Sequence, residues 1–515
     1  MRYSHPSLRT IAPILALFAL SGCAGVMRNY DGELKNTIAQ VEGGQIETSL
    51  QTLEKNNDSK DKDLLYFLEK GELLRLKQDV PASRENWLSA DEKVRIWEDE
   101  ARTTPEKLLG NVGSVLINDK TRRYDGRDYE KVFLNTRLAL DHLVLGEWDK
   151  ARTEIKKMHE REAIIAELRA KDVADVEEKA QKNGVQSTFK DLKGYPVETL
   201  DAPDVTALKN SYQSAYAHYL AGYVYEALGE TSLAAAGYRK AIELRPDLPF
   251  LEDGLMGLDS RKSRPGAGSD VLFVVETGTA PAIKSMSIPL PMPLGSHVGV
   301  IPISFPTIHP DANAFIPGSI SANGTSVQLH PITSINAMAR RALRDEMPGI
   351  IVRGTIRAIA KGVAQKAVMD NDSSGVASLL VMLGGIITES ADERSWRTLP
   401  DNVMIGRASL LPGSYTVILQ TPMGEKTQQL EVSGGHSVIA MRTLGGNLYV
   451  SQSTAPPQAM VATLSPAMEA PAATTTADTS PSATTSAPAN PKSSVKKKKK
   501  KKAADSKPVS SQPQK

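Results

Sequence analysis

Between Ser214 and Pro246 the chain places small, large and helix-breaking residues at a spacing that fits two antiparallel helices. Ala221-Gly222 is followed by Tyr225, Gly229, Ala234, Tyr238, Ala241 and Pro246. The small residues Gly222, Ala234 and Ala241 let two helix backbones approach closely. Tyr225 and Tyr238 fill the space between turns. Gly229 permits a tight turn and Pro246 stops the second helix. Such a pair cannot bury its apolar face alone, so this unit demands neighbours and commits the chain to a stacked core.

These spacings resemble the tetratricopeptide (TPR) pattern, with His218 where that family often has tryptophan. Two weaker units lie on the same template. Gly71, Leu74, Trp87 and Ala90 form one; Leu138-Ala139, His142, Gly146, Ala151 and Ile155 form the other. Gly71 and Ala139 are 68 residues apart, twice a 34-residue period. The stretch Pro105 to Asp128 reads as loop rather than as a repeat between them. Lys171 to Ala202 interrupts the array, helical and polar at Val173 to Lys182 and loop-like after. The expectation is a TPR-like helical domain over 34–258 with three to five helix pairs. Its groove suits a peptide or helix of a protein partner.

Character changes at Arg261 to Ser269, where Gly and Pro cluster. Asp270 to Val275 reads as a buried strand. Seven prolines between Pro281 and Pro310 predict an extended, edge-strand segment. Asn323-Gly324 predicts a hairpin turn. Thr333 or Ser334 caps a helix to about Met347 that Pro348-Gly349 ends, and a second helix covers Ile351 to Met369. Arg353, Arg357 and Lys361 make a basic stripe on it, read as the wet side of a helix packed on a sheet. Val376 to Ile387 reads as a buried core helix too short to span a bilayer. From Asn402 onwards, Val403 to Ala408, Ser414 to Leu419, Gln428 to Val432 and Ser437 to Met441 alternate as a meander. They form either a small antiparallel module or a sheet added to the central domain. Leu411-Pro412-Gly413-Ser414-Tyr415 resembles a turn and strand of PEGA-like and transthyretin-like modules. The expected fold is therefore multidomain: an α-helical TPR-like solenoid, an α+β central domain at 268–400, a small antiparallel β module at 401–452 and a disordered tail at 453–515.

The termini carry the other signals. Arg2 and Arg9 precede the apolar run Ile11 to Leu20, and Leu20-Ser21-Gly22-Cys23 follows. The run is too short to cross a bilayer and fits a secretory leader. The tetrapeptide resembles a bacterial lipobox. That resemblance implies cleavage of residues 1–22, acylation (diacylglycerol and palmitate) of Cys23, and a linker to residue 33. Two or three acyl chains give a stable anchor. By resemblance to enterobacterial lipoprotein sorting, alanine rather than aspartate at position 24 implies the outer membrane, facing the periplasm. Cys23 is the single cysteine, so no internal disulfide or thiolate zinc site forms. From Ser453 the tail has ten lysines and three acids, a net +7, and the leader's arginines add +2, leaving about −7 on the body. An acidic body with a basic tail is not the charge pattern of a nucleic-acid binder. Lys496, Lys497, Lys498, Lys499, Lys500, Lys501 and Lys502 run without a break; like charges extend such a segment. Peptidoglycan and anionic lipid are its candidate partners.

Chemistry is harder to find. Asp392-Glu393-Arg394-Ser395-Trp396-Arg397 gathers acids, arginines and a tryptophan that could serve a hydrolase. No matched nucleophile, metal-spaced histidines or phosphate loop accompanies it, His309 and His330 stand alone, and no cofactor or metal is called for. A salt-bridged turn into Pro400 is the plainer reading. Taken together, Tyr124-Asp125-Gly126 with Tyr129-Glu130, Asn135 to Trp148, Asp270 to Val275 and Ala391 to Pro400 resemble a family of uncharacterised TPR-containing bacterial outer-membrane lipoproteins. The resemblance spans roughly 20–450. It implies a cell-wall setting and no established activity. The leading expectation is a non-enzymatic envelope scaffold that binds protein partners through its TPR groove. The alternatives are a wall-modifying enzyme near Asp392–Trp396 and a structural component of a secretion or surface-polymer assembly.

Overall fold

The computed structural model of the protein describes residues 30–103, 123–262, 268–294, 297–311, 314–371, 390–433 and 435–453, except 186 and 191. Helices occupy the first half: α1 (Tyr30–Glu42), α2 (Ile46–Asn56), α3 (Leu64–Leu76), α4 (Val80–Thr103), α5 (Asp128–Val144), α6 (Trp148–Asn183), short α7 (Val197–Leu200) and α8 (Pro203–Thr206), α9 (Ala215–Ala227), α10 (Thr231–Leu244), α11 (Phe250–Met256) and α12 (Leu258–Lys262). Four antiparallel hairpins, α1–α2, α3–α4, α5–α6 and α9–α10, close with the same turn. In each, one residue sits in the left-handed region: Gly44 (φ 76°), Gln78 (71°), Gly146 (75°) and Gly229 (76°). The next residue's N–H bonds back five residues: Gln45 to Gln40, Asp79 to Leu74, Glu147 to His142 and Glu230 to Tyr225. This is the Schellman closure of a helix end. Gly44 and Gln78 are 34 residues apart, and Gln78 and Gly146 are 68 apart.

Inside the hairpins a small residue meets a large one sixteen positions on. A Cβ on Gly71 would lie 2.2 Å from Trp87 Nε1, and one on Gly222 would lie 2.7 Å from Tyr238 Cδ1. Ser214 caps α9, and Ala234, Tyr238 and Ala241 are buried. The closest backbone approach falls at Gly237, where a Cβ would stand 2.7 Å from Gly222 N. The polar stretch expected to interrupt the array is the far end of α6, which runs without a break to Asn183 and closes on Gly184 (φ 62°).

Among the described residues eleven strands follow: β1 (Ser269–Thr277), β2 (Ile283–Leu294), β3 (His297–Ile308), β4 (Ser319–Ala322), β5 (Thr325–Gln328), β6 (His330–Ser334), β7 (Asn402–Leu410), β8 (Gly413–Thr421), β9 (Gly424–Val432), β10 (His436–Leu444) and β11 (Asn447–Gln452). A five-stranded sheet has the order β11-β10-β1-β7-β6, and a four-stranded sheet the order β5-β4-β8-β9. Of the two arrangements expected for 401–452, the strands adopt the shared one, and they divide between two sheets. β7, β10 and β11 join β1, while β8 and β9 pair through β4. The β1–β10 pair is parallel, because β10 arrives after a long excursion rather than by a hairpin. Asn323 (φ 47°) and Gly324 (φ 81°) make the β4–β5 turn, as a two-residue hairpin with both central φ positive requires.

The alternation of β1 explains the layering. Leu272 and Val274, with Val438, Ala440, Val403 and Ile405, pack in the core shared with the helices. Val271, Phe273 and Val275 point the other way, against Ile320, Val417, Leu419 and Leu430 of the four-stranded sheet. Helices, five-stranded sheet and four-stranded sheet thus form three layers; the helices and one face of the five-stranded sheet share one core, and the two sheets enclose a second.

One expected break is absent. The helix α13 (Ile335–Asn371) continues through Pro348. An interior proline costs a backbone bond, but Met347, Ile350, Ile351 and Val352 on either side are all buried, and that packing outweighs the local preference. α13 lies on β3 and α6, as the reading of a helix packed on a sheet requires, but its basic stripe is not uniformly wet: Arg357 is buried, because the helix packs on two elements and its enclosed arc reaches that position. Among the described residues no helix is long and apolar enough to cross a membrane.

Candidate functional site

The inner face of the helix hairpins is filled by the chain itself. One side of it carries the five-stranded sheet: Tyr223 Oη donates to the Ser437 carbonyl at 3.0 Å and also to that of Asp270, and accepts from Ser437 N–H at 3.1 Å. The other side carries residues 390–401, an extended strap without regular structure. Glu69 on α3 receives the backbone N–H of Arg397 (2.7 Å) on one oxygen and that of Thr398 (3.1 Å) on the other. Glu130 on α5 receives the N–H of Trp396 (2.7 Å), while its second oxygen accepts from Tyr124 Oη (2.5 Å) and Arg127 N–H (3.0 Å). The Arg127 guanidinium reaches the carbonyls of Asp392 (3.4 Å) and Arg394 (3.5 Å). The Trp396 ring is fully buried and meets Trp87 edge-on, with centroids 6.0 Å apart. At its end the strap joins the sheet: Ala280 N–H donates to the Leu399 carbonyl, and Asp401 N–H to that of Thr277.

The electrostatics follow from enclosure. Burial pushes the Glu69 carboxyl up to about 7, against the hydrogen bonds of Thr398 and Arg397. Burial likewise raises Glu130, and it raises Asp141 to about 7 against Arg75. Beside the strap lies a sealed ionic network of Glu72, Arg75, Arg137, Glu276 and Arg442. Arg75 bonds Glu72 and Glu276 at 2.9 Å each, and Arg137 pairs with Glu276. Burial works to raise Glu276, but Arg137, Arg75 and Arg442 outweigh it and hold the carboxyl at about 2. Burial depresses Arg442 to about 10, opposed by Glu276 and Glu72; its Nη2 donates to the Thr398 carbonyl at 3.1 Å. A carboxylate held ionised this firmly cannot deliver a proton near neutral pH. The network joins α3, α5, β1 and β10, and its role is cohesive.

A second cluster lies where α9 meets the first residues of β1 and β10. Glu226, Asp270 and His436 have donor atoms within 4.8 Å of one another, a spacing a cation could use. Guanidinium groups already serve these carboxylates. Arg407 bonds Asp270 through Nε at 2.8 Å and Glu226 at 2.9 Å, and Arg261 bonds Glu226 at 2.6 Å. With two arginines supplying the positive charge, the donor set does not fit a metal.

Of the residues singled out in the sequence, Gly222, Tyr225, Gly229, Ala234, Tyr238 and Ala241 meet in the α9–α10 hairpin, with Pro246 just beyond its end. Cys23, Lys496 to Lys502 and Val376 to Ile387 lie outside the described residues. In the acid–arginine stretch, Asp392 pairs with Arg394 at 2.7 Å. Burial raises the Asp392 carboxyl, yet the Arg394 charge outweighs it and holds the group below its ordinary value. Glu393 accepts from Ser285 N–H. These side chains hold the strap to its surroundings. His330 stacks on Phe250 at 4.2 Å. His218 stacks on His159 at 5.1 Å and pairs with Glu162 at 3.1 Å, so an imidazole pair fills the place where the TPR pattern has tryptophan. Glu69, Glu72, Arg137 and Glu276 were not anticipated. Their signal was charge inside otherwise apolar helix and strand runs. No family model matches this chain, and no curated protein is significantly similar to it.

Proposed function

We propose that this chain is a non-enzymatic, lipid-anchored scaffold of the bacterial cell envelope that recruits a protein partner on its helix hairpins. One observation carries the reading: hairpin turns at Gly44, Gln78 and Gly146 fall on a single 34-residue step with the same closing geometry. That is the step of tetratricopeptide arrays, whose surfaces bind other proteins. Because the inner face carries the chain's own sheet and strap, the partner meets the outward side. An open depression of about 550 Å³ at α1 and α2 is lined by Asn36, Gln40, Gln45, Thr52, Lys55 and Asn56. Side-chain amides of this kind pair with the N–H and C=O groups of an extended peptide. Acyl chains on Cys23 hold one end at the outer membrane, and the Lys496 to Lys502 run reaches an anionic polymer such as peptidoglycan.

A photo-crosslinking residue at Lys55, which is exposed, tests this in cells, with Leu411 as a distant exposed control. The expected result is one protein captured at Lys55 and not at Leu411. Capture of nothing at Lys55, together with an unchanged phenotype when Gln45 and Lys55 are replaced, defeats the recruitment reading.

A further inference from the structure

The edge of a sheet offers unpaired N–H and C=O groups to other chains, and most edges of this protein are closed. The hairpin β2–β3 pairs with no other sheet, so both its strands are edges. Pro289 pairs with Pro302, and two residues without N–H groups cannot exchange ladder hydrogen bonds, so this is a non-hydrogen-bonded pair. By the alternation of the ladder, Ser285↔Pro306, Pro291↔Val300 and Pro293↔Val298 are of the same kind. These five prolines remove N–H groups that would point outward on both edges. In the five-stranded sheet, Arg245 donates to the Pro331 and Ile332 carbonyls of the β6 edge at 3.0 Å each, and α5 packs beside β11. β5, at one edge of the four-stranded sheet, has only four residues.

The other edge of that sheet, β9, is different. It pairs with β8 over nine residues without a break in register, about 30 Å of strand, and contains no proline. The direction of its backbone groups is set by β8. Thr416 N–H donates to Asn323 Oδ1 at 2.7 Å, and the Thr416 carbonyl accepts from Asn323 N–H at 3.0 Å. Both Thr416 groups therefore point towards β4, so Thr416↔Gln429 is a non-hydrogen-bonded pair of the β8–β9 ladder. By alternation, Gln420↔Glu425, Ile418↔Thr427 and Ser414↔Glu431 are of the same kind. The N–H and C=O groups of Glu425, Thr427, Gln429 and Glu431 thus point away from the sheet. The Glu431 carbonyl accepts from Gln452 Nε2 at 2.5 Å and that of Gln429 from Gln428 Nε2 at 3.2 Å; each keeps a second lone pair. Among the described residues no acceptor meets the four N–H groups.

The side chains define what fits against this edge. Residues 425, 427, 429 and 431 are exposed, while Leu430 and Val432 turn into the core between the sheets. Of the charged residues in β4, β5, β8 and β9, Glu425 and Glu431 stand on the solvent face and Lys426 on the other. A strand laid along β9, in either direction, meets two carboxylates six positions apart on its outer face. A second copy of this chain is ill matched. In the antiparallel register that uses the whole edge, its own Glu431 and Glu425 would lie directly opposite Glu425 and Glu431, like charges in apposition.

We propose that the β9 edge takes up an extended segment of a protein partner as a fifth strand. That segment carries basic residues six positions apart on its outer face and apolar residues on the inner face beside Gln428 and Leu430. The contact is separate from the depression at α1 and α2, so the failure of either leaves the other standing.

The test is fluorescence anisotropy with the full chain and the labelled peptide Lys-Val-Thr-Val-Thr-Val-Lys, against a peptide with glutamate in place of both lysines. The expected result is saturable binding of the lysine peptide and at least tenfold weaker binding of the glutamate peptide. Thr427→Pro removes one outward N–H and no ladder bond. It should weaken the lysine peptide at least tenfold while urea unfolding stays that of the parent. Glu425→Lys with Glu431→Lys should invert the preference between the peptides, which tests the pairing without a proline. Absence of saturable binding of the lysine peptide overturns the proposal, as does unchanged binding by both variants. Concentration-dependent association of the parent in sedimentation velocity, abolished by Thr427→Pro, would assign the edge to a second copy and overturn it as well.

Discussion

Glu69 offers the sharpest test of how the strap is held. Both its oxygens accept backbone N–H groups, from Arg397 and Thr398, in a site that raises its carboxyl from 4.5 to about 7. Between those two values the folded protein keeps a proton that the unfolded chain releases. Glu69 therefore contributes full stability below about pH 4.5 and loses it as pH rises towards and through 7. Carrying that linkage from pH 5 to pH 8.5 gives a loss of about 2.5 kcal/mol from this one group. Glu69→Gln removes the titration. Its amide also places an NH2 against one of the two N–H donors, which costs about 1–3 kcal/mol at every pH. The expectation is that Glu69→Gln is less stable than the parent at pH 5, and that the difference closes by about 2.5 kcal/mol by pH 8.5. Urea unfolding followed by tryptophan fluorescence reads it, since Trp87 and Trp396 are both buried beside the site. Asp141, also raised to about 7, is present in both proteins and cancels. Parallel stability curves for the two proteins across this pH range would refute the reasoning.

Three other substitutions probe separate layers. Gly71→Ala pushes a methyl to 2.2 Å from Trp87 Nε1, which now donates to the Leu68 carbonyl at 3.1 Å. Overpacking and a lost indole hydrogen bond should cost about 2–3 kcal/mol in urea unfolding even after the helix-propensity gain of alanine. Glu276→Gln leaves Arg75, Arg137 and Arg442 with one carboxylate fewer and should cost about 3–5 kcal/mol; adding Arg137→Met should recover part of it, measured in a double-mutant cycle. Replacing Pro289, Pro291 and Pro293 by threonine restores outward N–H groups on the β2 edge, and sedimentation velocity should then show concentration-dependent association that the parent lacks.

What could be read from the sequence depended on how local its cause was. The α9–α10 hairpin was legible because Gly222, Gly229 and Tyr238 act within thirty residues of one another. The turn at Asn323-Gly324 was legible because two residues fix it. The first hairpin, α1–α2, escaped because no glycine in it is followed by an aromatic residue sixteen positions on and its one clear mark is Gly44 in the turn. Gln78 escaped for a related reason: it holds a left-handed conformation (φ 71°) that residue type alone does not advertise. Pro348 misled because its cost is local while the burial of Met347 and Ile351 that overrides it is tertiary. The parallel pairing of Asp270 with His436 joins residues 166 positions apart, and no local pattern encodes such a register. For the site, the strap was noticed as an odd run of charges at Asp392 to Arg397. Its partners Glu69 and Glu130 could not be read, because a glutamate in a helix is ordinarily a solvated one.

Those two glutamates bear on how the helical half can exist. In a free-standing array, the surface bearing Glu69, Glu72, Arg75, Glu130 and Arg137 would face water, where each of these groups is comfortably solvated. Here every one of them is buried, and their partners come from the strap (Arg397, Thr398, Trp396) and from β1 (Glu276). Helices, strap and five-stranded sheet therefore satisfy each other's polar groups across one interface, and the helices and that sheet share one apolar core. A fragment ending at residue 262 would keep the hairpins but lose the Leu272, Val274, Ile405 and Val438 side of that core, exposing Tyr216, Tyr219 and Tyr223 together. Ordinary repeat arrays tolerate truncation because each pair leans only on its neighbours; this one should not. The fragment 30–262 is expected to keep helical circular dichroism and lose a cooperative thermal transition. A sharp melt near that of the parent would mean that the hairpins stack as an independent solenoid and that the sheet and strap are additions to it.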